Sequence, residues 1–241
     1  MPASAATNLV KNGSFETNTG PGKIFDGYPD KTVANWSFTR PSPNEGFAGI
    51  QTYAQGLANA TNGINWWGVK PAFQNGNGFV DSPDGGYFFS NDSDPRYTVR
   101  MTQTITGLTV GDKYDLGFFH AYGQEACSGC DGASYGAWSV NFGSENFNTG
   151  YTSVPDHGFR GWYTAAHTFT ATAETQILQF AALGPVGGPP MALLDGIILT
   201  AQNEPPAPPA ATPGPLPLLG LGASFAWSGR LRKRINQGGK A

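Results

Sequence analysis

Charge is scarce in this 241-residue chain, where Asp, Glu, Lys and Arg together make up only 13% of residues. Through Glu204 there are 9 Lys and Arg against 17 Asp and Glu, a net of −8. A surface so poor in cations cannot neutralise a run of phosphates, which excludes nucleic acid as a partner. Histidine is scarcer still. His120, His157 and His167 stand far apart in the chain, and no Gly-x-Ser-x-Gly elbow, His-Glu-x-x-His helix or phosphate loop accompanies them. No apolar run approaches the roughly 20 residues of a spanning helix, and no segment carries a helical apolar stripe. Two cysteines are too few for a zinc ribbon, which needs a second pair.

What is abundant points to strands joined by turns: 34 glycines, 19 prolines and 13% aromatic residues. Between about residue 8 and residue 200, short apolar or aromatic runs alternate with Gly, Asn, Asp and Pro clusters every ten or so residues. That rhythm predicts an all-β sandwich in one domain. In "YTVRMTQTI" Val99, Met101, Gln103 and Ile105 share one face; in "KYDLGFFHAY" Tyr114, Leu116 and Phe118 do. Between them "TGLTVGDK" has turn chemistry but is too long for a tight hairpin. Further strands are expected in "NLVKNGSFE", "NWSFT", "GYFFS", "AWSVNFG", "WYTAAHTFTA", "TQILQFAAL" and "ALLDGIIL". His120, in an apolar strand, reads as a core or edge residue rather than a base. The acidic "SNDSDPR" reads as a solvated loop.

A sugar ring presents apolar C–H faces that stack on exposed aromatics, with polar side chains ordering its hydroxyls. "NGINWWGVKPAFQNGNGF" supplies Trp66, Trp67 and Phe73 together with Asn65, Lys70, Gln74 and Asn77 in a glycine-rich, aperiodic stretch. In extended backbone Trp66 and Trp67 point to opposite faces, so at most one need be buried. A second ligand-binding stretch runs from Cys127 to Trp138 and contains Tyr135. The alternative for each aromatic is core packing or a lid on the sandwich edge, which is favoured for Trp36 and Trp162. Cys127 and Cys130 form "CSGC"; in an exported protein this reads as a small-ring disulfide, with free thiols as the alternative. No motif selects a pair of carboxylates for glycoside hydrolysis, so no catalytic residue is expected.

After Asn203 the chain changes character. "EPPAPPAATPGP" cannot pack a core and predicts a polyproline-like spacer. Leu216 to Trp227 is apolar, and five basic residues without an acid follow. As a helix those twelve residues span about 18 Å, short of a hydrocarbon layer of about 30 Å. With flanking residues the segment could cross a thin bilayer, Arg230, Arg232, Lys233 and Arg234 lying on the cytoplasmic side. The expected organisation is therefore a remnant near a signal-peptide site (1–7), a sandwich (8–202), a linker (203–215) and an apolar, then basic, tail (216–241). A signal peptide upstream of Met1 is part of this expectation.

"TPGPLPLLGLGASFAWSGRLRKRI" resembles the PEP-CTERM sorting signals of bacterial surface proteins, which exosortase-type transpeptidases recognise. Pro213 and Pro215 match the motif, Gly214 stands where Glu is usual, and "NQGGKA" extends beyond the basic cluster. The resemblance implies export, membrane insertion of the tail and processing by an exosortase. Asn12 to Glu16, Gln103 through Tyr114, and Leu194-Asp195 with Gly196-Ile197 resemble galactose-binding-like jelly-roll domains, the fold of many carbohydrate-binding modules. That resemblance implies a structural Ca²⁺ held by Glu16 and Asp195. The combined expectation is a non-catalytic, exported protein of the cell surface or extracellular matrix that binds a polysaccharide or glycan. A structural matrix or adhesion protein that binds no sugar is the alternative, and a polysaccharide hydrolase the remote one.

Overall fold

The computed structural model describes residues 6–25, 31–54, 64–69, 73–127, 129–187 and 190–202. The linker and tail, with Pro213, Gly214, Pro215, Arg230, Arg232, Lys233 and Arg234, lie outside the described residues. Ala5–Glu204 form one compact unit. Its described strands make two antiparallel sheets. In the first the order is β1 (Gly22–Phe25), β3 (Ala48–Thr52), β4 (Tyr87–Asp92), β12 (Pro190–Ala201), β6 (Lys113–Gln124) and β10 (Arg160–Thr170). In the second it is β2 (Ser37–Thr39), β5 (Arg100–Thr106), β11 (Thr175–Leu183), β7 (Ser134–Phe142) and β8 (Glu145–Asn148). A short β9 (Thr152–Val154) pairs with the first residues of β7. The fold is the expected all-β jelly-roll sandwich.

Period-two alternation builds the space between the sheets. Met101 and Ile105 of β5, Leu178 and Phe180 of β11, and Trp138, Val140 and Phe142 of β7 face inward. From the first sheet come Phe89, Leu116, Phe118, Leu194 and Leu199. Each such side chain contributes about 1.5–3 kcal/mol by leaving water. The stretch 107–112 does not fold β5 back onto β6 as a hairpin. It carries the chain from one sheet to the facing one, since β5 pairs with β2 and β11 while β6 pairs with β10 and β12.

A second, smaller core lies on the outer face of the first sheet. Phe88, Ala121, Met191 and Leu193 point away from the first core and are roofed by Ile64, Trp66, Val69 and Phe79 of the long β3–β4 crossing, with Phe159 beside them. Both faces of β12 are therefore covered, which is why Met191 to Leu194 are all buried and read as one apolar run.

"NLVKNGSFE" is not a strand: Asn12 and Phe15 have φ of 53° and 57°, which extended backbone does not allow. Side chains tie this segment down instead. Asn8 Oδ1 accepts from Leu199 N at 2.9 Å, and Leu9 N donates to Leu199 O at 2.8 Å. Gln103, buried on the core face of β5, exchanges two 2.8 Å hydrogen bonds with the backbone of Lys11. Its amide serves as a strand edge would, satisfying two backbone groups that burial would otherwise leave costly. At Gly13 a Cβ would lie 2.0 Å from Ile197 O, so only glycine admits this approach.

Candidate functional site

The two stretches singled out in the sequence come together at the end of the sandwich where β6 stops and β7 and β12 start. Trp66 bridges to Glu125, Trp67 N donates to Gln124 O at 3.1 Å, and Ala126 N donates to Asn65 O at 2.8 Å. Cys127 and Cys130 are disulfide-bonded with Cα atoms 5.3 Å apart, as expected.

Most of the aromatics there are not available to a ligand. Trp66 is 1% exposed, packed on Phe79 and Phe88 at 5.6 and 6.4 Å, with Gly123 leaving the room beneath its ring. Trp138 is fully buried between Phe89 and Phe180, its indole N–H donating to Leu193 O at 3.1 Å. Both are core residues, which corrects the ligand-binding expectation for them. Trp67 is half-buried but its ring is already occupied. His157 stacks on it at 3.7 Å and 17°, and Phe73 meets it edge-on at 4.7 Å. Phe73 is thereby committed to Trp67, the Asn65 Oδ1 is buried, and Gln74 lies exposed on the rim.

His157 is the hub of this rim. Its carbonyl accepts from Asn75 and Asn77 at 2.9 Å each, its N–H donates to Gln124 Oε1, and Nε2 lies 2.8 Å from Asp131 and 3.4 Å from Asp156. Gln124 also donates to Gly132 O, and Gly132 N to Asp156. Asn75, Asn77, Gln124, Asp131, Gly132, Asp156 and His157 are thus locked into one unit.

Tyr135, the remaining expected residue, is 41% exposed. β7 and β9 form a two-stranded ribbon in which Tyr135 stands opposite Ser153, and the 63% exposed Tyr151 packs edge-on against it at 5.0 Å. A groove of about 330 Å³ runs beside them, lined by Ser134, Tyr135, Ser153, Pro155 and Arg160. Two open aromatic rings and the Ser153 hydroxyl at this ribbon, with the Arg160 guanidinium of β10 beside them, are parts a sugar site needs. Tyr151 and Arg160 carried no local signal in the sequence. They become neighbours of Tyr135 only through strand pairing.

"SNDSDPR" is not a solvated loop. Asp94 is 2% exposed and holds the β4–β5 turn by accepting from Arg96 N at 2.9 Å and pairing with its guanidinium at 2.6 Å. The Arg96 hydrogen bond draws the Asp94 carboxyl down to about 2. Burial, reinforced by Asp94 and Glu125, raises Asp92 to about 7.

The expected metal ligands lie within electrostatic reach of each other, but with Asp84 they do not form a group whose ligand atoms all draw within 4.8 Å among the described residues. Asp195 sits fully buried at a β12 bulge, Oδ1 accepting from Gly196 N at 2.8 Å and Oδ2 without a partner. Burial raises its carboxyl to about 8, and the carboxylates of Asp84 and Glu16 push the same way. Glu16 is exposed and accepts from Tyr87 N at 2.6 Å. Carboxylate oxygens are the hard ligands Ca²⁺ takes; here they would have to close in to share one ion.

No family model and no curated protein matches the chain. Among solved structures it is similar to TmCBM61 in complex with β-1,4-galactotriose, at 13% identity and a TM-score of 0.42, covering 82% of this chain and 100% of that one. It is also similar to the CBM22-1 xylan-binding domain from Paenibacillus barcinonensis Xyn10C, at 8% identity and a TM-score of 0.38, covering 84% and 99%. A third similarity is to the enzymatically active domain of tailspike protein 4 of bacteriophage CBA120, at 14% identity and a TM-score of 0.41. That match covers 80% of this chain and 21% of the phage chain.

Proposed function

We propose that this sandwich is a non-catalytic carbohydrate-binding module whose ligand lies in the groove beside Tyr135. The observation that carries the reading is the Tyr135–Tyr151 pair, exposed on a ribbon that also presents Ser153 and faces Arg160. Stacking on the two tyrosines supplies affinity, and Ser153 and Arg160 order the hydroxyls. The test is a glycan array on the oxidised full chain, followed by titration of its best ligand against Tyr135→Ala and Tyr151→Ala. Each variant is expected to bind at least tenfold more weakly, about 1.4 kcal/mol, with an unchanged melting curve. A blank array from folded protein would favour the structural matrix role.

Glu16, Asp84 and Asp195 would hold one Ca²⁺, which fastens the N-terminal segment to the β12 bulge. Calcium at 100 times its Kd is expected to add about 2.7 kcal/mol of stability, lost on chelation and absent in Asp195→Asn. A melting curve indifferent to chelator would remove the metal from this reading.

The tail directs the protein to the cell surface or matrix of a bacterium through exosortase processing, and the disulfide suits that oxidising location. Mature protein recovered from cells is expected to lack Arg230, Arg232, Lys233 and Arg234. Intact mass measurement decides this, and retention of Arg234 would overturn it.

A further inference from the structure

Beside the disulfide, the Glu125 carboxylate and the sulfurs of Cys127 and Cys130 all lie within 4.8 Å of one another. All three residues are half-buried. A pocket of about 180 Å³ opens on this group, lined by Asp92, Glu125, Cys130, Tyr97 and Met191, with Asp94 and Arg96 at its side. The Arg96 guanidinium in that lining is engaged by Asp94. We propose that the reduced chain binds one zinc-class divalent ion through Cys127, Cys130 and Glu125, with Asp92 completing the shell from across the pocket.

The chemistry fits. A bonded disulfide offers no thiolate, so the oxidised chain is closed to such an ion. A dithiol reductant gives two electrons and two protons to the Cys127–Cys130 bond and leaves as its own disulfide, yielding two thiols. Metal binding then displaces those two protons, and the thiolates become ligands. With Zn–S of about 2.3 Å and Zn–O of about 2.0–2.2 Å, ligand atoms of a tetrahedron stand roughly 3.5–3.8 Å apart. The freed sulfurs would part from about 2.0 Å to about 3.8 Å, and the carboxylate would close in by about an ångström.

The surrounding backbone keeps the group together after the S–S bond opens. Glu125 is bridged to Trp66 in the roof, and Ala126 N donates to Asn65 O at 2.8 Å. Cys127 and Cys130 are three apart, the spacing at which one metal takes both thiolates. The loop would thus be stapled by a covalent bond when oxidised and by an ion when reduced.

The experiment is Co²⁺ and Zn²⁺ titration of the full chain, reduced with a phosphine and, separately, oxidised. The reduced chain is expected to take up one Co²⁺ with the intense near-ultraviolet absorption of thiolate-to-cobalt charge transfer, and Zn²⁺ to displace it. The oxidised chain and Cys127→Ser/Cys130→Ser are expected to show no such band. Glu125→Gln and Asp92→Asn should each weaken Zn²⁺ binding at least tenfold, and Zn²⁺ should slow alkylation of the reduced wild-type thiols. Cobalt bound without the thiolate band, as at Asp131, Asp156 and His157, would overturn the proposal. Wild-type affinity in Glu125→Gln would overturn it equally.

Discussion

Trp138→Ala is expected to lower the stability of the domain by about 3–5 kcal/mol, read as a fall in the urea midpoint. The indole is fully enclosed, so its removal loses apolar burial, opens a cavity between Phe89 and Phe180, and strips the Leu193 carbonyl of its donor. Trp66→Ala is expected to cost a similar amount by unroofing Phe88 and Phe79. Against a typical domain stability of about 5–15 kcal/mol, either loss is large. Ligand affinity of the folded fraction should stay at the wild-type value in both. A variant that kept its midpoint and lost only affinity would return these indoles to the binding surface.

Acid should weaken the folded state at His120, against the opposite pull of Asp92 and Asp195, whose raised carboxyls bind protons more tightly in the folded chain. Its ring is buried among Phe118, Tyr122 and Tyr163, and Nδ1 has no partner. Burial pulls its pKa from 6.5 down to about 4. Between those values the unfolded chain binds the proton at this ring and the folded one does not, so the contribution of His120 to stability falls as pH drops from about 6.5 to about 4. The full loss is about 3 kcal/mol at roughly 1.4 kcal/mol per pH unit. In His120→Phe, which cannot be charged, this contribution is absent, so the stability of the variant relative to wild type in thermal melts should rise as pH falls across this window. A constant difference would place the acid sensitivity elsewhere.

The sandwich was legible in the sequence wherever a strand carries its own alternation. "TQILQFAAL" coincides with β11, and the face shared by Met101, Gln103 and Ile105 is the core face of β5. β1, β3, β8 and β9 were not legible, because GKIF, AGIQT, ENFN and TSV are short and β3 is glycine-bearing. β3 is a strand because β4 lies beside it, β1 because β3 does, and β8 and β9 because β7 pairs with both. The site shows the same division. The disulfide was anticipated. A tryptophan in a glycine-rich loop looks like a platform until Phe88 and Gly123, distant in sequence, are seen enclosing it with Phe79. Asp94 looked solvated because its partners are Arg96 in a turn and the Gly187 backbone, which arrives 93 residues later.

The long β12 has a mechanical consequence. Pro190 pairs with Gln124 near the groove, while Ala201 pairs with Tyr114 and Gln202 N donates to Lys113 O at the opposite end. At about 3.3 Å per residue the strand separates these ends by roughly 36 Å. A pull on the chain beyond Gln202, opposed by something gripped at Tyr135, would load the sheets along their strands. Hydrogen bonds from β12 to β6 and β4 would then resist together in shear instead of parting one at a time, so tension between the two ends falls on the direction in which this sandwich is hardest to tear.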